Sequence, residues 1–166
     1  MDELASLSGL IGDIYDATLD PSLWPGVLKQ ISCFVRGSAA ALESKDIVNR
    51  AVNVFYQDGG IEPSMTRLYN EKYSKLDPCA IDHYVAAVGE PRATADIMPY
   101  EEFLQSRIYR ELFKSYGFVD GMTTALDRSA TRVASVSVFR LRATASSMKR
   151  LTGGCGSSRR IFGAPF

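Results

Sequence analysis

The chain has a single histidine, His83, in the run Cys79-Ala80-Ile81-Asp82-His83. On a helix, positions four apart share a face, so Cys79 and His83 could begin a metal or thiol site. A third ligand would then have to come from Cys33 or a distant carboxylate. A small buried thiol next to a helix-surface histidine gives the same pattern without chemistry. Glu101 and Glu102 are adjacent, which points their side chains apart and suits the solvated first turn of a helix. No G-x-S-x-G, glycine-rich phosphate loop or H-E-x-x-H run is present. These residues predict a non-catalytic protein with no cofactor and no bound metal.

Aromatic side chains are the second chemical signal. Of the 17 aromatics in the chain, 11 lie between positions 55 and 118, well above an even spread. Tyrosine combines an apolar face with one hydroxyl, which suits a pocket for a small organic molecule. The candidate ligand-binding residues are Phe55, Tyr56, Tyr69, Tyr73, Asp77, Tyr84, Phe103, Tyr109 and Phe113. The alternative is that these aromatics cap an ordinary core.

The elements that must position them follow from spacing. Leu4, Leu7, Leu10, Ile11, Ile14 and Tyr15 predict a helix over 3–18. Asp20-Pro21 opens a second helix, as N-cap and first turn, with Leu23, Val27, Leu28, Ile31 and Val35 as its buried stripe. Strands are expected over 38–46 and 51–58. A helix from Pro63 carries Tyr69 and Tyr73 until Asp77-Pro78 stops it, and another covers 79–87. A strand at 89–95, a short helix at 99–105 and a single helix at 106–116 capped by Gly117 come next. Strands at 120–128 and 131–141 close the pattern. In the last, Val133, Ser135, Ser137 and Phe139 alternate with Ala134, Val136 and Val138. The order has no βαβ repeat. It predicts an α+β fold, an antiparallel sheet flanked by helices in a PAS/GAF-like α/β/α sandwich.

The 166 residues suit one domain, placed at 1–141. No apolar run is long enough for a membrane span, and the acidic N-terminus is unlike a secretion signal. Three scattered cysteines suggest neither a disulfide framework nor a zinc site. A cytoplasmic protein is expected.

Three stretches then resemble a known family: "IYDATLDPSLWPGVLKQISCFVRGSAAAL", "LYNEKYSKLDP" and "MPYEEFLQSRIYRELFKSYGFVDGMTTALDRS". Over about 10–141 the chain resembles the N-terminal sensor region of LuxR-like helix-turn-helix transcriptional regulators, and in parts the autoinducer-binding domain of quorum-sensing receptors. Tyr69, Tyr73, Asp77 and Pro78 match an aromatic helix ending in Asp-Pro. The resemblance aligns Asp77 with the aspartate that hydrogen-bonds the signal's amide, and Gly121 with a glycine leading into a strand. Ser64 and Leu68 stand where lactone receptors carry aromatics, so the resemblance implies the scaffold with a different, unknown small organic ligand. It further implies a homodimer, or a mixed dimer with a full-length regulator. An interaction protein that blocks such regulators through mixed dimers is the alternative.

The charge is split. Residues 1–140 hold all 19 acidic side chains, whereas 141–166 hold five basic ones and no acidic one. The stretch 142–166 is expected to be an irregular basic tail without a DNA-binding domain, so no specific DNA binding is expected of this chain. Codons chosen for 155–166 and read one nucleotide earlier spell MRLIAPHLRRAV, which resembles the connecting helix of these regulators. The tail thus reads as an out-of-frame end to a truncated regulator.

Overall fold

Two helices, α1 (Glu3–Leu19) and α2 (Trp24–Phe34), cover one face of a five-stranded sheet in the computed structural model, which describes residues 3–142. The expected basic tail, from 143 onward, lies outside the described residues. Between the helices, a short 3-10 turn at Pro21–Leu23 is capped by Asp20, whose carboxylate accepts the Ser22 N–H at 3.0 Å and its hydroxyl at 2.7 Å. Leu10, Ala17 and Val27 bury the α1–α2 contact, and Leu28 is fully buried against Ala40 and Val138 of the sheet. The outer side of α1 leaves Leu4, Ile11, Tyr15 and Leu19 exposed.

The strands are β1 (Ala39–Asp46), β2 (Ala51–Gln57), β3 (Pro91–Ala93), β4 (Phe118–Arg128) and β5 (Arg132–Leu141), in the spatial order β2-β1-β5-β4-β3. Every neighbouring pair is antiparallel. The expected α+β sandwich is therefore the observed fold. Alternation along β5 sends Val136 and Val138 to the α1–α2 layer and Val133, Ser135, Ser137 and Phe139 to the opposite face.

The opposite layer is built from short pieces: α3 (Pro63–Leu68), α4 (Ala80–Val85), α5 (Thr94–Ile97), α6 (Tyr100–Gln105) and α7 (Arg107–Glu111). Three departures from the spacing-based reading occur here. The helix from Pro63 does not run on to Asp77; α3 widens into a π turn at Tyr69–Tyr73 and tightens into a 3-10 turn at Ser74–Leu76. The strand expected over 89–95 shortens to 91–93. The Asp96 carboxylate accepts the Ala93 N–H at 2.8 Å and starts α5 instead. The helix expected over 106–116 breaks after Glu111, where Leu112 and Phe113 turn into the core, and a 3-10 turn ends at Gly117 with φ 73°. That left-handed conformation favours glycine.

Asn70, on the π turn, clamps the outer edge of β2. Its amide oxygen accepts the Val52 N–H and its amide nitrogen donates to the Val52 carbonyl, both at 2.8 Å. The edge is thus tied to the helical layer and closed at that point to another strand.

Candidate ligand cavity

Between the sheet and the short helices lies a cavity of about 100 Å³. The π turn is central to how it is shaped. By adding a residue to the helical ladder, it aims Asn70 at the β2 edge while Tyr69 lines the cavity. The Tyr69 hydroxyl donates to Asp77 Oδ2 at 2.9 Å, and Asp77 Oδ1 accepts the Cys79 N–H at 2.9 Å. Burial, then the Asp77 charge, pushes the Tyr69 hydroxyl far above its usual range, so it is a fixed donor. Burial likewise raises the Asp77 carboxyl, against the two hydrogen bonds it accepts.

A second polar line crosses the sheet. Thr123 on β4 is paired with Ser137 on β5, and Glu43 on β1 meets Ser137 on the diagonal. Ser137 donates to Glu43 Oε1 at 2.6 Å, and the Thr123 and Ser137 hydroxyl oxygens are 2.9 Å apart. Since Ser137 spends its one proton on Glu43, Thr123 is the donor to Ser137. Lys45, two residues along β1, lies 3.5 Å from Glu43 Oε1, and its ammonium donates to His83 Nδ1 at 2.9 Å. Burial, then the Lys45 charge, depresses His83 to about 3, so the imidazole is neutral and its own proton is on Nε2.

Apart from the hydroxyls of Thr66 and Thr94, the rest of the wall is mainly apolar. Val52 and Val54 come from β2, Met65 from α3, Phe103 from α6, and Phe113, Phe118 and Phe139 from the aromatic cluster below. Phe113 and Phe118 are stacked with centroids 4.7 Å apart, and Phe139 meets Phe118 edge-on at 5.9 Å. Gly121 lines the wall where a Cβ would come within 3.1 Å of the Phe118 ring.

Of the nine candidate residues, Tyr69, Asp77, Phe103 and Phe113 line this cavity together. The other five lie elsewhere. Phe55 is 59% exposed at a β-bulge: Leu42 pairs with Tyr56 and Glu43 with Val54, leaving Phe55 without an opposite residue. The bulge also turns Tyr56 to the other face of the sheet, where it stacks on Trp24 at 6.1 Å. Tyr73 donates to Glu111 at 3.2 Å, Tyr84 donates to the Asp46 carbonyl at 3.2 Å, and Tyr109 packs edge-on against Phe103 at 5.3 Å. Sequence reasoning missed Glu43, Lys45, Thr123 and Ser137. The available signal was the alternation of β1, which places Glu43 and Lys45 on one face with the fully buried Ala39 and Ala41.

Cys79 and His83 both reach the cavity, as their spacing suggested. His83 Nδ1 is taken by Lys45, and burial pushes the Cys79 thiol up to about 12, which leaves it protonated and a poor nucleophile at neutral pH. Among the described residues no group of three or more His, Cys, Asp or Glu side chains is placed to hold a metal, and no helix is long and apolar enough to cross a membrane.

An α+β sandwich with a partly polar cavity between sheet and helices is thus the class of domain defined by fold and site. Among solved structures, the chain is similar to the LBD domain of VqsR from Pseudomonas aeruginosa, with a TM-score of 0.63 at 18% sequence identity. The match covers 89% of this chain and 86% of that one, so the fold is shared almost throughout. No protein-family model and no curated protein matches the sequence.

Proposed function

We propose that the chain is the small-molecule sensor domain of a LuxR-like transcriptional regulator, non-catalytic and acting by binding. The observation that carries this reading is the cavity itself. It opens between sheet and helices and is lined by aromatic side chains with a few placed polar groups, as expected of a ligand site. The likeness to the ligand-binding domain of VqsR, a LuxR-type regulator, supports the same reading. In the polar wall the Cys79 thiol is protonated, and the one imidazole is neutral and engaged with Lys45.

The test is thermal unfolding of the chain with a panel of small ring compounds at millimolar concentration. A ligand that binds only the folded state raises the midpoint in proportion to ln(1 + [L]/Kd). The Val54→Trp variant, which fills the cavity from β2, should lose that response while remaining folded. A panel that leaves wild type unmoved, or acts equally on Val54→Trp, rejects the sensor reading. The homodimer or mixed dimer belongs to this proposal, and light scattering of the purified chain, alone and with a full-length regulator, tests it.

A further inference from the structure

Glu43 and Lys45 bring opposite charges into the cavity wall from one strand, with side chains only 6% and 10% exposed. A buried ion pair is a weak source of stability compared with apolar packing, so its presence in a cavity wall directs attention to binding. The hydrogen-bonding capacity of the pair is not used up. Glu43 Oε1 takes the Ser137 hydroxyl and faces Lys45, while among the described residues Oε2 accepts no protein hydrogen bond. The Lys45 ammonium carries three protons. One goes to His83 Nδ1 and one faces Glu43, which leaves the third.

A molecule entering the cavity therefore meets an acceptor beside a donor. An anionic head would gain at Lys45 and lose at Glu43, and a cationic head the reverse, because the two charges are 3.5 Å apart. An uncharged head with its own donor next to an acceptor answers both and strands no buried charge. Size sets a second limit. The cavity of about 100 Å³ is of the order of the ~150 Å³ engineered cavity that takes up benzene, which is room for one ring. Phe103, Phe113 and Phe118 supply the aromatic surface for that ring.

We propose that the cavity selects an uncharged, single-ring molecule whose head carries a hydrogen-bond donor beside an acceptor, seated on Glu43 Oε2 and the remaining N–H of Lys45. This rests on the sensor reading and adds a rule of selectivity to it. The probes are benzamide, benzoate and benzylammonium, which share the ring and differ in head charge, with toluene as the headless control. Each is titrated against the full chain at pH 7.5, with the unfolding midpoint as the readout.

Benzamide should bind about tenfold more tightly than the other three, a difference of one well-made hydrogen bond to a charged group. Glu43→Gln leaves Lys45 as a lone cation and should move the preference to benzoate. Lys45→Met leaves Glu43 alone and should move it to benzylammonium. Equal binding of all four probes by wild type overturns the selectivity rule and leaves the sensor reading standing; that comparison needs no variant to fold. Wild-type preference for benzamide that both variants retain also overturns the rule, because the head would then be read elsewhere. No response to any probe overturns the single-ring cavity reading, and the selectivity rule falls with it.

Discussion

The two faces of the sheet are built on opposite plans. On one, two regular helices of 17 and 11 residues lie against alanine, leucine and valine, with Ser32 the buried polar side chain of α2. On the other, helices of four to six residues, a π turn and two 3-10 turns enclose a cavity that holds Glu43, Lys45, Tyr69 and Asp77. The same strands serve both faces, since each contributes alternate residues to each side. The difference lies in what covers them. Long helices present a continuous apolar stripe to the sheet, whereas α3, the π turn, α4, α5 and α6 each give one or two residues to the wall of a cavity.

Core truncation gives the largest expected effects and should separate the two. Leu28→Ala, on the helical face, and Phe103→Ala, on the cavity face, should each cost about 3–5 kcal/mol in denaturant unfolding. Only Phe103→Ala should alter probe binding, because it alone enlarges the cavity. Equal effects of both variants on binding would erase the distinction between the faces.

Acid should act next, through the cavity face. The folded His83 value of about 3 lies below its ordinary value of 6.5, so the unfolded chain binds the proton first. The stability contributed by neutral His83 is complete above about pH 6.5 and falls toward pH 3, by at most about 1.4 kcal/mol per pH unit. Asp77 works in the opposite sense. Its raised carboxyl binds a proton more readily when folded, and that contribution is lost as pH rises through the folded value. His83→Gln should abolish the acid limb attributable to His83, measured as unfolding midpoint against pH, and an unchanged limb would remove His83 from its cause.

Smaller effects test the seam between the layers. Asn70→Ala frees the Val52 N–H and carbonyl at the β2 edge and should cost about 1–2 kcal/mol. It should also speed amide exchange at Val52 while leaving the α1–α2 layer unchanged. Smallest of all is Phe55→Ser, at the exposed bulge, expected to stay within about 0.5 kcal/mol of wild type and to leave probe binding unaltered. A larger loss would show Phe55 to be part of the core.

The same contrast governs how much of the molecule was legible in its sequence. α1 and α2 appear in the spacing of Leu10, Ile14, Val27, Leu28 and Ile31, because a long amphipathic helix writes its buried face into every turn. The alternation of β5 was equally plain. The cavity face was read less well. Tyr69 and Tyr73 looked like neighbours on one helix, yet the π turn sends the first to Asp77 and the second to Glu111. Phe55 and Tyr56 looked like pocket aromatics, and a single unpaired residue in β2 put one in solvent and the other against Trp24.

What the sequence by itself determined was local: which segments are helix or strand, which face of a long element is apolar, that the layers form an α+β sandwich, and that aromatics crowd the stretch from 55 to 118. Each follows from periodicity and backbone preference within about a dozen residues. The polar wall was decided only by tertiary structure. Ser137 reaches Glu43 across 94 positions of chain, and Lys45 reaches His83 across 38. Those meetings depend on strand register, a bulge and the placement of a six-residue helix. Such features are set by the packing of the whole chain and leave no periodic trace in any one part of it.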